Sequence, residues 1–82
     1  MNRVKILLFA TLRDYTGSRS LEMEIPAGTT VAVLTEMLIK AHPRLEKVRT
    51  SMMTAINREY ARDEQVIPDN AEIAFFPPVS GG

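Results

Sequence analysis

The hydrophobic pattern of this chain repeats about every two residues, then about every 3.6, then about every two again, and that order leaves few architectures open. Val4 to Phe9 is rich in branched residues and reads as a strand, with Val4, Ile6 and Leu8 on one side and Lys5, Leu7 and Phe9 on the other. Leu21, Met23 and Ile25 alternate with Ser20, Glu22 and Glu24, a strand with one buried and one wet face, and the Asp14 to Arg19 stretch between the two is expected to turn. After Gly28, either Thr29 or Thr30 can cap a helix whose Val31, Leu34, Leu38 and Ala41 share one face and which Pro43 stops. Thr54 to Asn57 reads as a short strand turning at Asn57-Arg58-Glu59 into Tyr60-Ala61. Glu72 to Phe76 is the last strand, introduced by a Pro68-Asp69-Asn70-Ala71 turn. Strands, a helix and further strands predict an α+β fold, one sheet packed on one main helix.

The remaining segments are less informative. Pro43 to Met53 predicts a short helical turn with Leu45 and Val48 inward and with Arg44, Lys47 and Arg49 solvated. Glu36 and Lys40 stand four apart on the outer side of the helix in the favourable order, and His42 reads as a helix-end residue rather than a catalytic one.

Composition excludes several functions. With 82 residues and no cysteine, the chain is one domain without a disulfide framework or thiolate chemistry. A single histidine cannot anchor an ordinary structural zinc site, so no metal is expected. Ten basic and ten acidic residues cancel, which removes the field a nucleic-acid binder would show. No apolar run is long enough to span a membrane and no signal-peptide pattern opens the chain, so a cytoplasmic location is expected.

The feature with chemical content is the end of the sequence, Pro77-Pro78-Val79-Ser80-Gly81-Gly82. Glycine has no Cβ, so Gly81 and Gly82 offer a backbone thin enough to thread a narrow slot, and the two prolines favour extended geometry upstream. The expected organisation is a domain over residues 1–76 and an extended arm over 77–82, with the terminal carboxylate of Gly82 as the reactive group. If Val4, Ile6, Leu8, Ile73 and Phe75 face the helix, parity turns Phe9 and Phe76 outward, joined by Tyr60 and Leu7 in an apolar patch at the root of the arm.

Over essentially its whole length the sequence resembles the small, sulfur-carrying subunit of molybdopterin synthase, a ubiquitin-like β-grasp family. The resemblance is carried by Val4-Lys5-Ile6-Leu7-Leu8-Phe9-Ala10 with Leu12-Arg13, by Ala55-Ile56-Asn57, and above all by Glu72 through Gly82. Where the family usually has Asp-Gly-Asp-Glu before the last strand, this chain has Asp69-Asn70-Ala71-Glu72, and asparagine can stand for glycine in a left-handed position.

The resemblance implies a mixed sheet of four to five strands whose last strand lies parallel to the first at the centre, with Phe9 beside Phe76. It also implies a route. An ATP-dependent adenylating enzyme activates the Gly82 carboxylate, a sulfur donor displaces AMP to leave a thiocarboxylate, and the arm delivers that sulfur to a pterin precursor in the large synthase subunit. No cofactor would be bound; ATP is consumed by the activating enzyme and the sulfur is covalent on Gly82. In that scheme this chain is the reactant and catalysis belongs to the partner. Phe76, Phe9 and Tyr60 match the family's hydrophobic interface. Three alternatives remain: a ubiquitin-like modifier joined to lysines, a sulfur carrier for another pathway such as thiamine, cysteine or tRNA thiolation, and a binding domain without chemistry, which requires the Gly-Gly end to be dispensable. The Phe-Phe-Pro-Pro-Val approach argues against the thiamine carrier.

Overall fold

The two strands that are apolar on both faces occupy the middle of the sheet. A computed structural model describes residues 1–77. In it β1 (Asn2–Leu8) and β5 (Glu72–Phe76) run parallel, with Lys5, Ile6, Leu7 and Leu8 opposite Glu72, Ile73, Ala74 and Phe75. Two outer faces are thereby available to each, one toward the helix and one away from it, which is why both carry apolar residues at odd and even positions. β2 (Ser20–Ile25) flanks β1 antiparallel, β3 (Met53–Ile56) flanks β5 antiparallel, and β4 (Glu59–Tyr60) forms the far edge, giving the order β2-β1-β5-β3-β4. The parallel central pair is the arrangement that the family resemblance implies.

The main helix, α2 (Val31–Ala41), lies between the two halves of the sheet in sequence and closes its inner face. Thr30 is the cap: its Oγ1 accepts from the Val33 amide at 3.3 Å, while the hydroxyl of buried Thr29 donates to the Pro26 carbonyl instead. The Val31 and Ala32 amides donate to the Gln65 and Asp63 carbonyls, so the first-turn donors are satisfied by the loop that follows β4. Val4, Ile6, Leu8, Ile73 and Phe75 from the centre of the sheet pack in one core with Leu34 and Leu38, and all seven are almost completely shielded from water.

Four details differ from the sequence reading. The link between β1 and β2 is not a simple turn. It contains a helix, α1 (Thr11–Thr16), that buries Leu12 and ends at Gly17, whose φ of 75° lets its N–H reach the Arg13 carbonyl. Six residues make too few turns to show a helical period. Ala41, expected on the inner face of α2, is exposed and Ile39 is buried in the same helix, whereas the short 3-10 helix that follows (Pro43–Val48) buries Leu45 as expected. Arg49 is half-buried and not simply solvated: it pairs with Glu46 at 3.1 Å and with Glu36, clamping the 3-10 segment to α2. Glu36 therefore has its ion pair across elements and not with Lys40. His42 does sit at the end of α2, its amide donating to the Leu38 carbonyl at 2.8 Å.

The turns follow their chemistry. Asn70 has φ 61°, and the Pro68–Ala71 turn is tied to β1 by the Arg3 amide donating to Asp69 Oδ1 at 2.9 Å and the Asn70 amide donating to the Arg3 carbonyl at 2.9 Å. β3 and β4 pair Ile56 with Glu59, leaving Asn57 and Arg58, φ 49° and 73°, as a two-residue loop of the mirror-image type that matches strand twist. β5 ends at Phe76. The expected arm begins at Pro77, and from residue 78 onward it lies outside the described residues.

Candidate functional site

Strand register arranges the face of the sheet away from α2 in rows. Glu22, Lys5 and Glu72 stand side by side across β2, β1 and β5, and Arg3 beside Glu24 forms the row below. One row up, Ser20, Leu7, Ala74, Ala55 and Tyr60 are adjacent across all five strands. At the top Met53 stands opposite Phe76, and the Phe9 amide donates to the Phe75 carbonyl at 3.3 Å, extending the parallel pairing one residue past β1. The face is thus charged at one end and apolar at the end where β5 stops.

Phe9 and Phe76 are stacked, with ring centroids 4.9 Å apart and planes within 8°. Such a pair contributes about 0.5–1.5 kcal/mol beyond its area, so it holds Phe76 in place while leaving the outer edges of both rings free. Phe9 remains 41% exposed and Tyr60 74% exposed, large values for aromatic side chains. Between them the middle row is large, small, small, large: Leu7 and Tyr60 rise on either side of Ala74 and Ala55. The two alanines form the floor of a groove of about 500 Å³, with Phe9 and Phe76 at one end and Arg58 and Glu72 at the other.

Phe9, Phe76 and Tyr60, together with Leu7, therefore line one groove, and no bulge reverses the strand parity. Sequence reading missed Met53, 37% exposed opposite Phe76, although counting back two positions from Ala55 along β3 puts it on the same face. It also missed Arg58 and Glu72, whose positions depend on how the β3–β4 turn folds over the start of β5. The remaining site residues, Pro78, Val79, Ser80, Gly81 and Gly82, lie outside the described residues, and Pro77 is half-buried at the end of β5.

Nothing in this groove is arranged as acid, base and nucleophile. Its charged members are one cation and one carboxylate, Arg58 and Glu72, and among the described residues no group of three His, Asp or Glu side chains could hold a metal ion. An apolar groove of this kind can bind and position a partner.

A family model described as the ThiS family matches residues 6–82, nearly the whole chain. The chain belongs to the ThiS family. Among curated relatives, this ThiS-family chain is 38% identical to a molybdopterin synthase sulfur carrier subunit of Arabidopsis thaliana, over 96% of its length and 82% of the relative's. It is 32% identical to small archaeal modifier protein 1 of Haloferax volcanii, over 92% and 95% of the two chains. The crystal structure of that archaeal protein superimposes with a TM-score of 0.87, at 31% identity, covering 99% of this chain and all of the other. One chain of a complex of subunits 1 and 2 of molybdopterin-converting factor from Helicobacter pylori shares the fold with a TM-score of 0.69 at 16% identity, covering 98% of this chain and 99% of that one. The fold is the ubiquitin-like β-grasp that the resemblance implied.

Proposed function

We propose that this chain is the sulfur carrier of molybdopterin biosynthesis, with Gly82 as the carrier atom's residue and the groove as its docking face. The observation that carries the reading is the position of the stacked Phe9–Phe76 pair and Tyr60 at the point where the chain leaves β5 for a Gly-Gly end. Binding energy from the face would be used to place the reacting terminus, the division of labour expected when one protein is the substrate of another.

The α-carboxylate of Gly82, with a pKa of about 3.5, is ionised at neutral pH and is a poor electrophile. An adenylating enzyme joins it to AMP from ATP with release of pyrophosphate, and the mixed anhydride then accepts sulfur from a donor as AMP leaves. The resulting thiocarboxylate gives its sulfur to the pterin precursor in the large subunit, and hydrolysis regenerates the carboxylate. Gly81 supplies clearance in the partner's slot, and Pro77, Pro78, Val79 and Ser80 span from the face to it. No bound cofactor is required, and the cytoplasm is where such a carrier would meet its enzymes.

Intact mass of the protein taken from its native cell tests the reading: exchange of one oxygen for sulfur at the terminus is expected, and its disappearance in a strain lacking the activating enzyme. An unmodified terminus under conditions of active cofactor synthesis overturns it. A second reading, a modifier joined to lysines, is favoured by the likeness to the archaeal modifier. Higher-mass adducts on denaturing gels that vanish on deletion of Gly82 would support that role.

A further inference from the structure

The loop that joins β3 to β4 adopts a backbone that one of its two residues disfavours. Asparagine tolerates the left-handed region at Asn57, but arginine gains nothing from φ 73° at Arg58, where glycine is the residue such loops favour. The loop is nevertheless pinned. The Asn57 amide donates to the Glu72 carbonyl at 2.8 Å, and Asn57 Oδ1 accepts from the Glu72 amide at 2.9 Å. Those bonds require Asn57 and place no demand on the side chain at 58. Conformations that a residue disfavours persist where neighbours over-determine them, and they concentrate at ligand clamps.

The Arg58 side chain lines the groove at the end away from Phe9 and Phe76, beside Tyr60. It forms no ion pair among the described residues; the four that occur there involve Arg3 and Arg49. The other charged side chain of the groove, Glu72, stands opposite Lys5 across the parallel pair, and Lys5 stands opposite Glu22 on its other side. Glu72 forms no ion pair among the described residues either, with Lys5 or with Arg58, and Arg58 is the one cationic side chain that lines the groove.

We propose that Arg58 is a specificity-determining residue of the docking face, where its guanidinium receives a carboxylate from the protein that seats an apolar side chain in the groove. This rests on the reading of the groove as the face that meets the large synthase subunit. A planar guanidinium presents a fork of donors that fits a carboxylate, and a rim charge of this kind acts on partner choice and on the rate of association.

The test is the affinity of the full chain for its large subunit at low and high salt, for the unaltered protein and for Arg58→Gly, Arg58→Lys, Arg58→Glu and Phe76→Ala. Arg58→Gly is expected to bind about tenfold more weakly at low salt and with a flatter salt dependence, Arg58→Glu more weakly still, and Arg58→Lys to retain part of the salt dependence. Phe76→Ala should weaken binding and leave the salt dependence intact. A lysine in place of one acidic interface residue of the large subunit should restore binding of Arg58→Glu. Circular dichroism and thermal unfolding establish that each variant is folded. If Phe76→Ala weakens binding while Arg58→Glu keeps the original affinity and salt dependence, the docking face stands and the role of Arg58 falls. If neither weakens it, or the unaltered chain does not bind, the docking face and this inference fall together.

Discussion

Phe75 and Phe76 are chemically identical neighbours on β5, and a single step of strand parity separates their tasks. Phe75 is fully buried against α2, whereas Phe76 stacks on Phe9 at the outer groove. Truncating Phe75 to alanine removes a core ring and should cost about 3–5 kcal/mol, enough to unfold much of a domain this small, as read by urea denaturation. Phe76→Ala should leave the chain folded and lose partner affinity. At Arg58 the expectation runs the other way: Arg58→Gly relieves a left-handed backbone and should raise stability by about 1 kcal/mol, a melting temperature about 4–8 °C higher. Gain of stability with loss of binding is the pattern of a residue kept for something other than the fold. These roles were unequally legible. Parity separated the two phenylalanines, but nothing in Asn57-Arg58-Glu59 taken alone indicates that Arg58 reaches over a groove.

Elements whose signals are local were read correctly, and those whose signals are not were missed. α2 begins after a hydroxyl that can cap and ends before a proline, and the structure runs it from Val31 to Ala41. Thr30→Ala removes the acceptor for the Val33 amide and should cost about 1 kcal/mol by chemical denaturation, with Thr29→Ala differing because that hydroxyl serves the Pro26 carbonyl. α1 was missed because its one buried contact, Leu12, becomes meaningful only when the core beneath it exists. The bridge from Arg49 to Glu36 and Glu46 was missed for a related reason, since Glu36 has a plausible local partner in Lys40 and the competing one is brought in by the fold of the 3-10 segment. With both carboxylates largely exposed, Arg49→Ala should cost at most about 1 kcal/mol, and less in high salt.

At the scale of the molecule, the first and last strands are neighbours at the sheet centre, so the fold closes only when the end of the chain has arrived. The groove is built by that closure: Leu7 and Phe9 come from one terminus, Ala74 and Phe76 from the other, and Ala55 and Tyr60 from the hairpin between. Adding one residue after Gly82 should leave thermal unfolding unchanged and abolish sulfur transfer to the pterin precursor, because the added bulk falls beyond the sheet and at the proposed reacting atom. The sequence by itself determined the strand and helix periods, the turn chemistry, a hydroxyl cap at Thr29 or Thr30 and the apolar parity of Phe9 and Phe76. These depend on residues within a few positions of one another. Only the tertiary structure decided that two alanines from different strands leave a hollow between Leu7 and Tyr60, and that Arg58 stands at the end of it away from Phe9 and Phe76. Those depend on register between segments far apart in the chain, and register is set by the packing of the whole sheet on its helix.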